Sequence, residues 1–188
     1  EKNLKVILPL IFPETIKDKV FAYLPSDGDN CPPKIFVQWR EYAKKYGAKL
    51  NYIDNSKTGE EAEKEKEKLL ESNILTITGG NTFTLLHNLR RSGLDKSIIQ
   101  FTKKKEFVLS GFSAGAVVLT PTIATSAIKG VDKNKVGLKN LKGLKILKFE
   151  IFAHYSQKWE KAVEDYEKKT KNEVKKLTDE DYLVIDLK

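Results

Sequence analysis

The chain of 188 residues has one cysteine, Cys31, two histidines, His87 and His154, and no methionine. A single cysteine excludes an internal disulfide, and such sparing use fits a reducing compartment, so the cytoplasm is the expected location. One cysteine and two histidines do not make a zinc ligand set, and no metal is expected. Long apolar runs are missing too. The longest, residues 6–12, is interrupted by Pro9. That is well short of the ~20 residues a membrane helix needs, so no membrane partner is expected. The opening residues, Glu-Lys-Asn-Leu-Lys, lack the long apolar segment of a secretory signal. Arginine is scarce: Arg40, Arg90 and Arg91 stand against a formal net charge of +8 that is carried mainly by scattered lysines. Base readout favours arginine, and single-strand platforms interleave exposed aromatics with basic residues. Neither pattern occurs, so the charge reads as solvated surface, and no nucleic acid is expected as a partner. Gly79-Gly80 lacks the lysine of a phosphate loop and no Gly-x-Gly-x-x-Gly follows a strand, so no cofactor is expected.

Hydrophobic residues make up 40% and charged residues 32% of the chain, the balance of a soluble globular protein, and the length suggests one domain over residues 1–188. Apolar runs of strand type alternate with helix-type periodicity, which predicts an α/β fold, a parallel sheet flanked by helices. Strands are expected over residues 20–24, 49–53, 74–78, 107–109, 146–152 and 182–185, with a loop at residues 25–30. Phe36, Trp39, Ala43 and Tyr46 have helical spacing, and Gly47 can cap that helix. A charged helix over residues 59–72 carries the favourable Glu60–Lys64 pair. Asn81 or Thr82 can start the next helix, and Gly93 can end it. Further helices are expected over residues 95–104, just after Ser113, and over residues 159–171.

One motif carries chemistry. Gly111-Phe112-Ser113-Ala114-Gly115 joins an expected strand to an expected helix. In such a nucleophile elbow the flanking glycines let strand and helix approach closely, and the serine hydroxyl stands exposed at the carboxyl end of the sheet. A serine nucleophile needs a base. His87 lies inside a helix, opposite Phe83, Leu86 and Leu89, whereas His154 follows a strand at the same sheet edge as Ser113. His154 is therefore the expected base. The base needs an orienting acid. Between Ser113 and His154 the acids are Asp132 and Glu150. Glu150 shares the strand that leads to His154 and is badly aimed, so Asp132 is expected, by elimination. An oxyanion hole is expected from the N–H of Ala114 and from the Gly79-Gly80 backbone. Asn81 and Thr82 are expected to hold substrate.

Ile77-Thr78-Gly79-Gly80-Asn81-Thr82-Phe83, the Leu-Arg-Arg-Ser-Gly-Leu run to Leu94, Ser113-Ala114-Gly115-Ala116, Pro121-Thr122-Ile123 and Phe149-Glu150-Ile151-Phe152-Ala153-His154-Tyr155 together resemble the peptidase E (aspartyl dipeptidase, cyanophycinase-related) family of serine peptidases. The resemblance implies a class I glutamine amidotransferase-like fold, a flavodoxin-like three-layer sandwich. It implies a Ser-His-acid triad in which Ser113 and His154 match the nucleophile and the base. The implied partner is a small peptide substrate, including dipeptides with an N-terminal acidic residue; a monomer or homodimer is expected. Lys158 and Lys161 are the basic residues after His154 that could meet an acidic substrate. The alternative is a family member with a degraded triad, acting as a binding or regulatory module.

Overall fold

The computed structural model describes residues 3–28, 32–128 and 130–187. Cys31 and part of the loop expected at residues 25–30 lie outside them. Val20–Leu24 (β1), Lys49–Tyr52 (β2), Ile74–Ile77 (β3) and Val108–Gly111 (β4) form a sheet in the order β2-β1-β3-β4, parallel throughout. The central strands read as continuous apolar runs because both of their faces are covered. Phe21 and Tyr23 of β1 point to one face, and Ala22 and Leu24 to the other; all four are fully buried.

On the first face pack Leu4–Ile11 (α1) and Pro33–Lys45 (α2). Their contacts are largely aromatic. The Trp39 ring lies 5.8 Å from Phe21, 6.0 Å from Tyr23 and 5.4 Å from Phe112. On the second face lie Gly59–Glu71 (α3), Thr82–Ser92 (α4), Leu94–Phe101 (α5) and Ala114–Val117 (α6). Leu69, Phe83, Leu86, Leu89, Ile98 and Phe101 from these helices meet Leu75 and Ile77 in one apolar cluster. The result is a three-layer α/β sandwich. The helix ends follow local chemistry. The Asn81 side chain accepts from the Thr84 N–H at 3.0 Å to start α4, and Gly93 ends it at φ 76°.

The last third of the chain departs from the sequence expectation. The strand expected over residues 146–152 shortens to Glu150–Phe152 (β5), because the preceding segment is bound to the end of α6 instead: the N–H groups of Leu144 and Ile146 donate to Val118 and Leu119. Before Glu160–Thr170 (α7) and after it the chain forms a second, two-stranded parallel sheet. Here β5 pairs with Val174–Lys176 (β6), Phe152 standing opposite Lys176. Residues 182–185, expected as a strand, belong to neither sheet; Val184 is 72% exposed. Glu150 ties the small sheet to its surroundings. Its buried carboxylate accepts from the Tyr166 hydroxyl and the Asn172 amide, each at 2.6 Å. Among the described residues no helix is long and apolar enough to cross a membrane.

Candidate active site

The adjacent strands β1, β3 and β4 all deliver their carboxyl ends to one edge, where open α/β sheets bind ligands. After β4 comes Ser113, at φ 52° and ψ −117°. This is a backbone conformation that costs a non-glycine residue ~1–3 kcal/mol and persists only where its surroundings enforce it. They do so here. The Phe112 N–H donates to Ile77 at 2.9 Å, and the Gly115 and Ala116 N–H groups donate to Phe112 and Ser113 at 2.9 Å. A Cβ on Gly111 would stand 2.7 Å from the Gly115 carbonyl oxygen, and one on Gly115 only 2.1 Å from that of Ile77. The two glycines are thus what lets α6 turn back directly against β3 and β4, with Ser113 at the apex.

Two loops bring groups to Ser113. A Cβ on Gly79 would lie 3.0 Å from Ser113 Cβ and 3.5 Å from its Oγ, so the Gly79 backbone runs past Ser113 at contact distance. Gly80, at φ 144°, packs against Ser26 so closely that a Cβ there would overlap the Ser26 hydroxyl. Ala114 is the first residue of α6, a position whose N–H has no partner within the helix.

His154 follows β5 and has φ 57°. Its Nε2 lies 2.7 Å from Ser113 Oγ, and its Nδ1 lies 2.5 Å from Oδ1 of Asp179. A carboxylate accepts the Nδ1 proton and leaves Nε2 to accept from the serine hydroxyl, the tautomer a general base needs. The His154 and Asp179 side chains are 63% and 77% exposed. The three groups line a 650 Å³ cavity together with apolar residues of α1, β4 and the C-terminal segment.

Asp132 does not reach His154. Its carboxylate accepts from the Thr82 N–H at 2.9 Å and from the Asn81 amide at 3.4 Å. It sits at the amino end of α4, where exposed N–H groups and the helix dipole favour an anion. Asp179 occupies the position expected for Asp132. The reason is the parallel pairing of β5 with β6: His154 lies two residues past Phe152, Asp179 three past Lys176, and these two strand ends are register partners. Parallel strands exit at the same edge, so the two side chains meet. Asp179 lies beyond the segment between Ser113 and His154, and β6, Val-Lys-Lys, has no apolar run to announce the strand that brings it in. The available signal was Thr178-Asp179-Glu180-Asp181, a turn built on Thr178, whose N–H and hydroxyl both donate to Asp181 at 2.8 Å. Those bonds hold the Asp181 carboxyl below its usual range.

Asn81 and Thr82, expected to hold substrate, have their polar groups engaged within the protein. The Asn81 amide donates to the Lys133 carbonyl at 2.9 Å while its oxygen caps α4, and the Thr82 hydroxyl accepts from Ser126 at 3.0 Å. Both residues tie the start of α4 to the segment between Ser126 and Lys133. His87, within α4, is half-buried and away from this constellation. Lys158 lies against the Trp159 ring, 5.2 Å from its centroid.

A strained serine at a strand-to-helix elbow, bonded to a histidine that is bonded to a carboxylate, is the arrangement of a serine hydrolase. The chain belongs to peptidase family S51, whose family model matches residues 3–186; it is a family of serine-type peptidases, and the peptidase E resemblance holds. An uncharacterized peptidase of Listeria monocytogenes is 37% identical over 89 residues, 47% of this chain and 43% of that protein. One of Listeria innocua is 28% identical over 178 residues, 90% of this chain and 83% of that protein. Peptidase E of Escherichia coli is 31% identical over 120 residues, 63% of this chain and 49% of that protein. The matched part thus spans less than half of the first and third of these relatives. The crystal structure of a candidate peptidase E protein from Listeria monocytogenes superposes with a TM-score of 0.71 at 24% identity, covering 93% of this chain and 86% of the other. A peptidase from an acI-B1 Actinobacterium gives 0.60 at 18%, covering 88% and 68%. At such identities the likeness is one of fold, the class I glutamine amidotransferase-like three-layer sandwich.

Proposed function

We propose that this protein cleaves short peptides through an acyl-enzyme, with Ser113 as nucleophile, His154 as base and Asp179 as the orienting acid. The observation that carries this reading is the unbroken chain Ser113 Oγ, His154 Nε2, His154 Nδ1, Asp179 Oδ1, at 2.7 and 2.5 Å. In the first step His154 takes the Ser113 proton as Oγ attacks the scissile carbonyl carbon. The negative charge passes to the carbonyl oxygen, held by N–H groups of the Gly79-Gly80 segment and Ala114. His154 then gives its proton to the leaving amine. Water, deprotonated by His154, attacks the ester and frees Ser113. Asp179 keeps the imidazole in the required tautomer and balances its charge when protonated.

The contact of Asp179 with His154 supports a working peptidase over a family member with a degraded triad that acts as a binding or regulatory module. The aspartyl dipeptidase resemblance favours an acidic residue at the peptide N-terminus. The residues lining the cavity at Ser113 oppose it, since they include Asp179, Asp181 and Asp186 but no lysine or arginine among the described residues. The direct test is labelling with a fluorophosphonate probe, followed by mass spectrometry. Modification of Ser113 in the wild type, lost in Ser113→Ala and strongly slowed in His154→Ala, supports the proposal. A folded wild type that takes no label refutes it.

A further inference from the structure

We propose that a second cavity, beside the Gly79 loop, receives a positively charged nitrogen of the substrate, an ammonium or guanidinium, against the carboxylate of Asp27. This deepens the peptidase reading and rests on it for the word substrate. The cavity measures 280 Å³ and opens at the carboxyl edge of the sheet, between the residues that follow β1, β3 and β4. Phe112, which precedes the nucleophile, lines both this cavity and the one that holds Ser113 and His154. A group bound here therefore lies one side chain away from the scissile bond. The volume falls just below the ~300 Å³ from which ligand sites run upward, and suits one side chain or a chain terminus rather than a whole peptide.

The chemistry of the walls selects the group. Among the described residues Asp27 is the only charged one that lines the cavity, and Tyr23, Trp39, Tyr42 and Phe112 line it as well. Aromatic faces and a carboxylate together favour a cation with an aliphatic stem. Asp27 Oδ1 is buried and has no hydrogen-bond partner among the described residues. Buried acceptors are nearly always paired, and leaving one unpaired is costly. A cation entering the cavity balances the charge of this carboxylate, which has no cationic partner lining the cavity among the described residues. The charge distribution agrees. The chain carries +8 overall, yet among the described residues both cavities at the site are lined by aspartates and by no lysine or arginine. On a basic protein this concentrates an attraction for cations at the site and repels acidic peptides.

The test uses Ser113→Ala, which cannot turn over, and calorimetric titration with three amides. N-acetyl-lysinamide offers a side-chain ammonium, leucinamide offers an α-ammonium, and N-acetyl-norleucinamide offers neither. Binding of at least one of the first two, with the third undetectable, is expected, and which of the two binds identifies the source of the charge. Adding Asp27→Asn should weaken that binding about tenfold, ~1.4 kcal/mol, and Asp27→Lys should abolish it. Equal affinity for all three amides, or no response to Asp27→Asn in a protein with unchanged circular dichroism, overturns the proposal. In the active enzyme, Asp27→Asn should lower the kcat/KM ratio of lysine-bearing to neutral peptides by a similar factor. The two readings fail separately. Ser113 labelling without any Asp27-dependent cation binding leaves the peptidase and removes the subsite. Asp27-dependent binding without labelling does the reverse.

Discussion

Two aspartates with opposite expected behaviour offer the sharpest test of the site. Asp179 is 77% exposed, and its described bond is to His154. A surface pair of this kind contributes little to folding, so Asp179→Asn should leave the urea midpoint almost unchanged. Its effect should fall on turnover, because an asparagine amide no longer fixes the Nδ1–H tautomer of His154. The loss of an orienting carboxylate in a serine triad costs roughly 10²- to 10⁴-fold in kcat. Asp132 is half-buried and accepts from the Thr82 N–H at 2.9 Å at the start of α4. Asp132→Ala removes a charged cap, worth about 1 kcal/mol and at most ~2 kcal/mol. The urea midpoint should fall accordingly, while kcat of the folded protein changes by less than about tenfold, or ~1.4 kcal/mol. Both variants are to be measured by urea denaturation and by hydrolysis of the best peptide from a library. If Asp132→Ala abolished turnover and Asp179→Asn spared it, the triad assigned here would be wrong and the elimination from sequence right.

Gly115→Ala would place a Cβ 2.1 Å from the Ile77 carbonyl oxygen, an atom of the central strand that cannot swing aside. Overpacking of this kind should cost ~1–3 kcal/mol and displace the elbow, so fluorophosphonate labelling of Ser113 should be lost even in the folded fraction; labelling at the wild-type rate would contradict the described turn. Tyr166 is pushed well above its ordinary range, first by burial and then by donating to Glu150. Its contribution to stability is therefore intact below about pH 10, the ordinary tyrosine value, and is lost as the pH rises beyond it toward the folded value. Tyr166→Phe should be less stable than wild type at neutral pH and should flatten the alkaline decline in thermal midpoint; an unchanged decline would place that titration elsewhere.

Much of the fold could be read locally. The apolar runs of β1 and β3, Asn81 ahead of α4 and Gly93 behind it each act through a few neighbouring residues. The elbow was legible for the same reason: Gly111, Ser113 and Gly115 sit within five positions, and the clash a Cβ would cause follows from the turn itself. His154 was reachable because only two histidines exist, one of them inside a helix. Other features had no local signature. The strand β6 is Val-Lys-Lys and forms only because β5 offers an edge for it to pair with, so periodicity passes over it. Residues 182–185 have every local mark of a strand, but strand structure needs a paired edge as well as a β-prone sequence, and these residues join neither sheet.

The sequence by itself determined the parallel α/β order, the strand-to-helix elbow that carries Ser113 and the choice of His154 over His87, because glycine sterics and apolar spacing act over a few residues. The tertiary structure decided which carboxylate meets that histidine. Asp132, 22 residues before His154, is drawn to a helix terminus; Asp179, 25 residues after it, is delivered by a strand pairing that no local pattern encodes. Proximity of that kind is a property of the register between β5 and β6, and register is set only when both strands are in place.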